Sequence, residues 1–239
     1  EENPSEFHGV SKFNINTGEP IYSGKNFSSE FGELMCALAS KDKRICTVTA
    51  AMSLGTGLEP FKKEYPKRFF DVGIAEEHAV TFCAGLARGG MVPVFAVYSS
   101  FLQRCFDQLV HDGTMQNLHM IIAVDRAGFV GEDGRSHQGL LDVPFLKSIP
   151  GAVIYSPSSY EEMKIDFELA VDGEDSMVAV RYPRGCEGYL PPKYEATDKT
   201  YSVYGKKSST VAIITYGSLF SQSALALKKL SEYDIDIKI

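Results

Sequence analysis

The sequence predicts an α/β protein: a mostly parallel sheet with helices on both faces. Three observations lead there. Short β-branched runs alternate with longer segments of helical period. Most of those runs are continuously apolar, as strands covered on both faces must be. Repeated strand–helix–strand order is the mark of parallel crossover units. Composition agrees, because 44% hydrophobic and 23% charged residues over 239 positions are ordinary globular values that exclude disorder, a collagen-like repeat and a coiled coil.

The elements follow in order. Residues Glu1–Gly24, rich in Asn, Ser, Gly and Pro, read as an extended lead-in. A helix is expected over about Ser29–Ser40 and a strand over Cys46–Ala50. Strand Phe69–Ala75 runs into helix Glu76–Arg88, and strand Val92–Tyr98 into helix Ser99–Gln116, whose stripe of Leu102, Cys105, Phe106, Leu109 and Val110 is its core face. Strand Met120–Asp125 opens a long glycine-rich loop and is followed by strand Ala152–Ser156. After Pro157, Ser158-Ser-Tyr-Glu161 reads as a capping box opening helix Glu161–Val171, before strand Met177–Tyr182. These elements make one domain over 25–188. Residues 189–209, polar and carrying Pro191-Pro192, read as a linker. Beyond them, strand Thr210–Tyr216, helix Leu219–Ser231 and strand Asp234–Ile239 read as the truncated start of a second α/β domain over 210–239. The chain opens on Glu1-Glu2 and stops inside an alternating strand, so a fragment is expected.

Charge and cysteines narrow the class. With 24 Lys+Arg against 31 Asp+Glu, the net charge of −7 argues against a protein that neutralises nucleic-acid phosphates. No apolar run reaches the roughly 18–20 residues of a membrane span, and no signal peptide is visible. Five scattered cysteines resemble reduced cytosolic thiols rather than a disulfide framework or zinc site. A cytoplasmic protein with no membrane or nucleic-acid partner is expected.

Ligands of open parallel sheets sit at the carboxyl ends of strands, and three of those ends are unusually polar. Phe69–Ala75 leads into Glu76-Glu77-His78, Val92–Tyr98 into Ser99-Ser-Phe-Leu-Gln-Arg104, and Met120–Asp125 into the loop Arg126–Gly139. Each has an ordinary reading. Acids in a first helical turn complement the helix dipole, His78 alone reads as a packed histidine, and Phe101 with Arg104 fits edge packing and a surface ion pair. The loop is more telling. Gly128, Gly131, Gly134 and Gly139 punctuate two arginines, Glu132, Asp133 and His137, and long loops in compact domains are usually functional. Its glycine spacing is not the dinucleotide fingerprint, and Leu54-Gly-Thr-Gly-Leu58 lacks the third glycine of one. No P-loop lysine and no metal-ligand cluster appears.

Together these stretches resemble a known family. Asp71-Val-Gly-Ile-Ala-Glu-Glu-His-Ala-Val-Thr-Phe82 is similar to the glutamate-bearing strand–helix junction of transketolase-like thiamine diphosphate enzymes. Tyr98-Ser-Ser-Phe-Leu-Gln-Arg104, Asp125-Arg-Ala-Gly128, Gly131-Glu-Asp-Gly-Arg-Ser-His-Gln-Gly139 and Val180-Arg-Tyr-Pro-Arg-Gly185 narrow the resemblance to the 1-deoxy-D-xylulose-5-phosphate synthase family, from about Phe7 onward. Transketolases share a Gly-x-Asp-Gly-x-Thr-His-Gln loop, but Asp-Arg-Ala-Gly before it and Arg-Tyr-Pro-Arg-Gly after it favour the synthase family.

The resemblance implies a pyrimidine-binding domain and the opening of a C-terminal domain. It further implies pyruvate and glyceraldehyde 3-phosphate as substrates, thiamine diphosphate with Mg2+ as cofactors, and a homodimer. The family's Gly-Asp-Gly…Asn magnesium and diphosphate motif does not occur in this sequence, so the Mg2+ ligands are expected on a preceding domain. By resemblance, Glu76 hydrogen-bonds N1′ of the cofactor's aminopyrimidine and favours the imino tautomer, whose 4′ nitrogen takes the proton from thiazolium C2. Such a glutamate has to share a proton near neutral pH, which calls for burial. Phe101 is expected to stack on the pyrimidine, and Tyr98 to line the same pocket near the reacting centre, where it also meets substrate. Arg126 and Arg184 match positions that hold the substrate phosphate, where a guanidinium fork suits a dianion. Asp133 and His137 match positions that bind acceptor hydroxyls and assist proton transfer, and Arg104 matches an active-site arginine. Glu77 stands where glutamine is usual and Ser136 where threonine is usual. The isolated fragment is expected to be inactive. Other enzymes of the superfamily, a non-catalytic module pairing with a separate diphosphate-binding chain, or a degenerate homologue are the alternatives.

Overall fold

The computed structural model describes residues 12–19, 21, 24–173 and 177–239. Most of the lead-in expected over residues 1–24 lies outside the described residues. What is described of it is not extended but turns back on itself, with Asn14 N donating to Glu19 O at 2.8 Å and Ile21 N to Lys12 O at 2.8 Å.

Six parallel strands form one sheet: β1 (Ile45–Thr49), β2 (Phe69–Asp71), β3 (Val92–Tyr98), β4 (Met120–Asp125), β5 (Ala152–Tyr155) and β6 (Met177–Arg181), in spatial order β2-β1-β3-β4-β6-β5. The four inner strands are buried almost throughout, while β2 and β5 at the edges are half-buried. That is the burial their continuous apolar runs predict.

Strand residues alternate between two cores. On one face Ile45, Val94, Ile121 and Val178 meet Phe31, Met35 and Phe167 of helices α1 (Phe27–Lys41) and α7 (Tyr160–Asp172). On the other, Val48, Phe95, Ile122 and Ala179 meet Ala79 and Cys83 of α3 (Glu76–Arg88) and Leu102, Cys105 and Leu109 of the segment 99–116. Each fully buried ring or branched side chain contributes about 1.5–3 kcal/mol.

Two caps set helix starts. Asn26 and Ser29 form a reciprocal capping box at α1, with side-chain acceptances of 2.9 and 3.0 Å. At α7 the cap lies one residue beyond the predicted one. Ser159, not Ser158, accepts from Glu162 N at 3.0 Å, and the Glu162 carboxylate receives Ser158 N at 2.8 Å. Two short helices went unpredicted, α2 (Glu59–Glu64) and α6 (Asp142–Leu146), because neither is long enough to display a helical period.

The segment expected as one helix, Ser99–Gln116, changes its winding along its length. It runs from α4 (Ser99–Leu102) through a tight turn at Gln103–Cys105 and α5 (Phe106–Gln108) into a π-helical turn at Leu109–Gly113 and a final tight turn at Thr114–Gln116. The changes rotate the expected stripe. Leu102, Cys105 and Leu109 are buried, but Phe106 reaches the surface, edge-on to Phe145 at 6.1 Å.

The strands expected at Thr210–Tyr216 and Asp234–Ile239 are reduced to single-residue pairings of Lys238 with Ala212 and Gly205. So narrow a ladder, with no neighbouring sheet, does not sustain regular strands. Helix α8 (Leu219–Ser231) forms as predicted. It packs through Phe220 on Tyr194 and Tyr204, and Tyr194 Oη donates to the α7 cap Ser159 at 2.9 Å.

Candidate active site

The strand order places a crevice between the carboxyl ends of β1 and β3, where one chain connection leaves to each side. Such switch points are where open α/β sheets bind ligands. The polar strand ends meet there.

The strand expected to reach Ala75 ends at Asp71, and residues 72–75 form a loop. After it Glu76 opens α3 and is 2% exposed. The small residues Ala79, Cys83 and Ala84 behind it let the helix pack closely on the sheet. Its Oε1 accepts from Arg104 Nη1 at 2.7 Å, and no contact among the described residues engages Oε2. Arg104 is 46% exposed and lies with its guanidinium carbon 5.0 Å from the Phe101 ring centroid. Tyr98 ends β3, and its ring stacks on Phe101 at 5.8 Å and 18°. The His137 ring meets Phe101 edge-on at 5.3 Å. Burial pushes the Tyr98 phenol up, against the opposing pull of Arg126.

Arg126 follows β4 in a left-handed conformation, φ 58°, that turns its side chain back toward the crevice. It is 13% exposed and much of its fork is engaged internally. Nη1 donates to Gly55 O at 2.6 Å and Ser28 Oγ at 3.2 Å and pairs with Asp125 Oδ1 at 3.0 Å, while the guanidinium carbon lies 4.0 Å over the Tyr98 ring. Asp125 is wholly buried, and burial pushes its carboxyl up against the lowering effects of Arg126 and Ser28. Asp133 bridges two arginines, Arg184 Nε at 3.0 Å and Arg126 Nε at 3.5 Å. Both family-matched arginines thus share one carboxylate at the crevice edge.

The loop is closed at its neck. Gly128 N donates to Gly139 O, and Gly139 N to Gly128 O, both at 2.8 Å. Inside it Gln138 accepts from Val130 N at 3.1 Å and donates to Gly134 O at 2.8 Å, and Ser136 Oγ lies 2.9 Å from His137 Nδ1. Gly139 has no room for a side chain, since a Cβ there would sit 2.3 Å from Arg126 O.

The structure therefore brings Glu76, Tyr98, Phe101, Arg104, Arg126, Asp133, His137 and Arg184 around one crevice. Three supporting residues were not foreseen. Asp125 stood inside a recognised motif, but Ser28 and Gly55 lie far from Arg126 in sequence and carry no local signal. His78 is corrected. It is exposed rather than packed, because α3 buries Glu76, Ala79, Val80 and Cys83 instead. Among the described residues no cluster of three His, Cys, Asp or Glu side chains could hold a metal ion. No helix among them is long and apolar enough to cross a membrane.

The chain is a parallel α/β domain of the kind found in transketolases. Solved structures share the fold. A split-gene transketolase described as an inactive beta4 tetramer superposes with a TM-score of 0.73 at 23% identity, over 90% of this chain and 71% of that one. A transketolase from Campylobacter jejuni gives 0.75 at 16% identity, over 92% and 36%. The chain belongs to the transketolase pyrimidine-binding domain family, whose model it matches over residues 24–186. It is similar to 1-deoxy-D-xylulose-5-phosphate synthases, 44% identical to that of Clostridium acetobutylicum along its whole length and 53% identical to that of Halothermothrix orenii over 79% of it. The chain spans 39% and 30% of the lengths of those relatives.

Proposed function

We propose that this chain is part of a 1-deoxy-D-xylulose-5-phosphate synthase, which decarboxylates pyruvate and joins the remaining two-carbon unit to glyceraldehyde 3-phosphate. The products are carbon dioxide and 1-deoxy-D-xylulose 5-phosphate, a first step toward isoprenoids by the non-mevalonate route and toward thiamine and pyridoxal. In this reading residues 25–188 are the pyrimidine-binding domain and 210–239 begin a C-terminal domain, joined by 189–209. The full protein works as a cytoplasmic homodimer, and residues outside this chain hold Mg2+ and the diphosphate.

The observation that carries the proposal is the buried Glu76 carboxylate, with one oxygen uncommitted, at the same crevice as the Tyr98–Phe101 stack. A carboxylate and a flat aromatic wall suit an aminopyrimidine, which needs a partner for a ring nitrogen and a surface for its face. When bound, thiamine diphosphate supplies the electron sink that decarboxylation of pyruvate requires. Glu76 holds a proton at N1′, Phe101 stacks on the ring and Tyr98 walls the pocket. Arg104 positions Glu76 through its 2.7 Å bond. Arg184 and Arg126 bind the phosphate, while Asp133 and His137 orient acceptor hydroxyls and move protons there.

In the full-length protein, Glu76→Ala should lower pyruvate-dependent carbon dioxide release in the presence of glyceraldehyde 3-phosphate by about 10²–10⁴-fold. Near-normal turnover removes Glu76 from the mechanism. Ketose donors replacing pyruvate in the unsubstituted protein would instead identify a transketolase. A second reading, a subunit of a split enzyme, draws on the fold shared with the split-gene transketolase. It requires the diphosphate-binding half to be encoded as a separate chain, which the gene sequence upstream of Glu1 decides.

A further inference from the structure

The segment Leu54-Gly-Thr-Gly-Leu58, which carries no nucleotide fingerprint, is built against the crevice at the carboxyl end of β1. Its base is rigid. Thr56, fully buried, donates from Oγ1 to Met52 O at 2.8 Å, and Leu58 N donates to Ser53 O at 2.8 Å. Its two glycines do different work. Gly57 adopts φ 76° and lies so close to α1 that a Cβ on it would come 2.0 Å from Ser28 O, while one on Gly32 would come 1.9 Å from Gly57 O. That contact fastens the segment to the helix whose Ser28 also holds Asp125 at 2.8 Å.

Gly55 has no left-handed φ to explain it. What excludes a side chain there is the tip of Tyr98, since a Cβ would stand 1.8 Å from its Oη and 2.9 Å from its Cζ. The carbonyl of the same residue receives Arg126 Nη1 at 2.6 Å. The Arg126 guanidinium in turn covers the Tyr98 ring at 4.0 Å.

We propose that Gly55 is a positioning residue. Its bare Cα sets how deep the Tyr98 hydroxyl sits in the crevice, and its carbonyl fixes the azimuth of the Arg126 fork. One backbone unit thereby aims both groups from the β1 side, and the glycine contacts fastening 55–57 to α1 keep that aim rigid. The consequence for catalysis rests on the synthase reading above, in which Arg126 binds the acceptor's phosphate and Tyr98 walls the pocket. The coupling of Gly55 to Tyr98 does not.

Two measurements on the full-length protein test it. The first is a thermal-unfolding cycle of Gly55→Ala, Tyr98→Ala and the double variant. Gly55→Ala should lower the unfolding midpoint by several degrees when Tyr98 is present and leave it unchanged in the Tyr98→Ala background, where the clashing atoms are gone. If Gly55→Ala does not fold, the double variant should. Equal penalties in both backgrounds, or a double variant that also fails to fold, overturn the proposal. The second is steady-state kinetics. Displacing two aimed groups by about an ångström should cost about 10²-fold in kcat/KM for glyceraldehyde 3-phosphate, with KM for pyruvate far less affected. An unchanged kcat/KM for the acceptor overturns the catalytic part. Absence of synthase activity in the unsubstituted protein overturns the reaction assignment instead, and the thermal cycle then still decides on Gly55.

Discussion

Asp142→Ala should be among the most destabilising single changes in this chain. Asp142, the first residue of α6, is 1% exposed, and Arg181, the last of β6, has a side chain 9% exposed. They form a two-pronged pair, Nε to Oδ2 at 3.0 Å and Nη2 to Oδ1 at 3.2 Å, with Nη1 donating to Ser156 Oγ at 3.1 Å. Removing the carboxylate leaves a guanidinium that cannot shed its charge with one hydroxyl and the Tyr216 ring, 5.6 Å away, for company. Breaking such a pair from one side costs about 3–5 kcal/mol. Val143 N also loses its 2.9 Å acceptor on Asp142, for about 1 kcal/mol more. The sum is about 4–6 kcal/mol, read as the shift in a urea midpoint multiplied by the m-value. The control is Asp142→Leu with Arg181→Met, since an apolar pair of similar volume is often neutral. That double variant should unfold within about 2 kcal/mol of the parent. A single variant within 1 kcal/mol of the parent, or a double variant as damaged as the single, refutes the reasoning.

Two further expectations concern the loop and pH. Gly139→Ala places a methyl 2.3 Å from Arg126 O and 2.7 Å from Ser99 Oγ, so it should spread the loop neck and, under the synthase reading, lower kcat/KM of the full-length protein for glyceraldehyde 3-phosphate about 10²-fold. Parental kinetics would show that the neck does not hold Asp133 and His137. Asp166, on the buried face of α7, has its carboxyl pushed up to about 7, first by burial and then by Glu162. The folded state therefore binds its proton more tightly than the unfolded chain does, and stability is lost as pH rises from about 4 through 7. Asp166→Asn should stabilise the protein at pH 8, by up to about 4 kcal/mol, and give no advantage at pH 4. Equal unfolding midpoints for parent and variant at pH 8 would contradict this.

Much of the fold was legible because its signals are local. The continuous apolar runs of β3 and β4 and the small-residue face of α3 state burial directly, so both strands and the helix Glu76–Arg88 match to the residue. The segment 99–116 was misread because a period of 3.6 cannot reveal where a π turn and tight turns replace the α-helix. The terminal strands failed for another reason: alternation describes a strand's faces but does not supply its neighbours. The site residues were legible as a set only through their resemblance to a family, since they come from separate crossovers. Arg126 could be named from its motif. That Ser28, Gly55 and Asp125 hold it could not, because those contacts exist only once β1, β3 and β4 lie side by side.

The glycine pair at the loop neck bears on how such a protein changes over time. Two reciprocal backbone hydrogen bonds between Gly128 and Gly139 close residues 129–138 into a cassette whose ends are held by main chain alone. In the synthase reading, exchanges within the cassette would retune what the aldehyde meets, while Glu76 and Phe101 arise from other strands and meet the cassette through His137, 5.3 Å from the Phe101 ring. Under that reading, the side chains that meet the acceptor can change while the sheet that carries Glu76 and Phe101 stays in place.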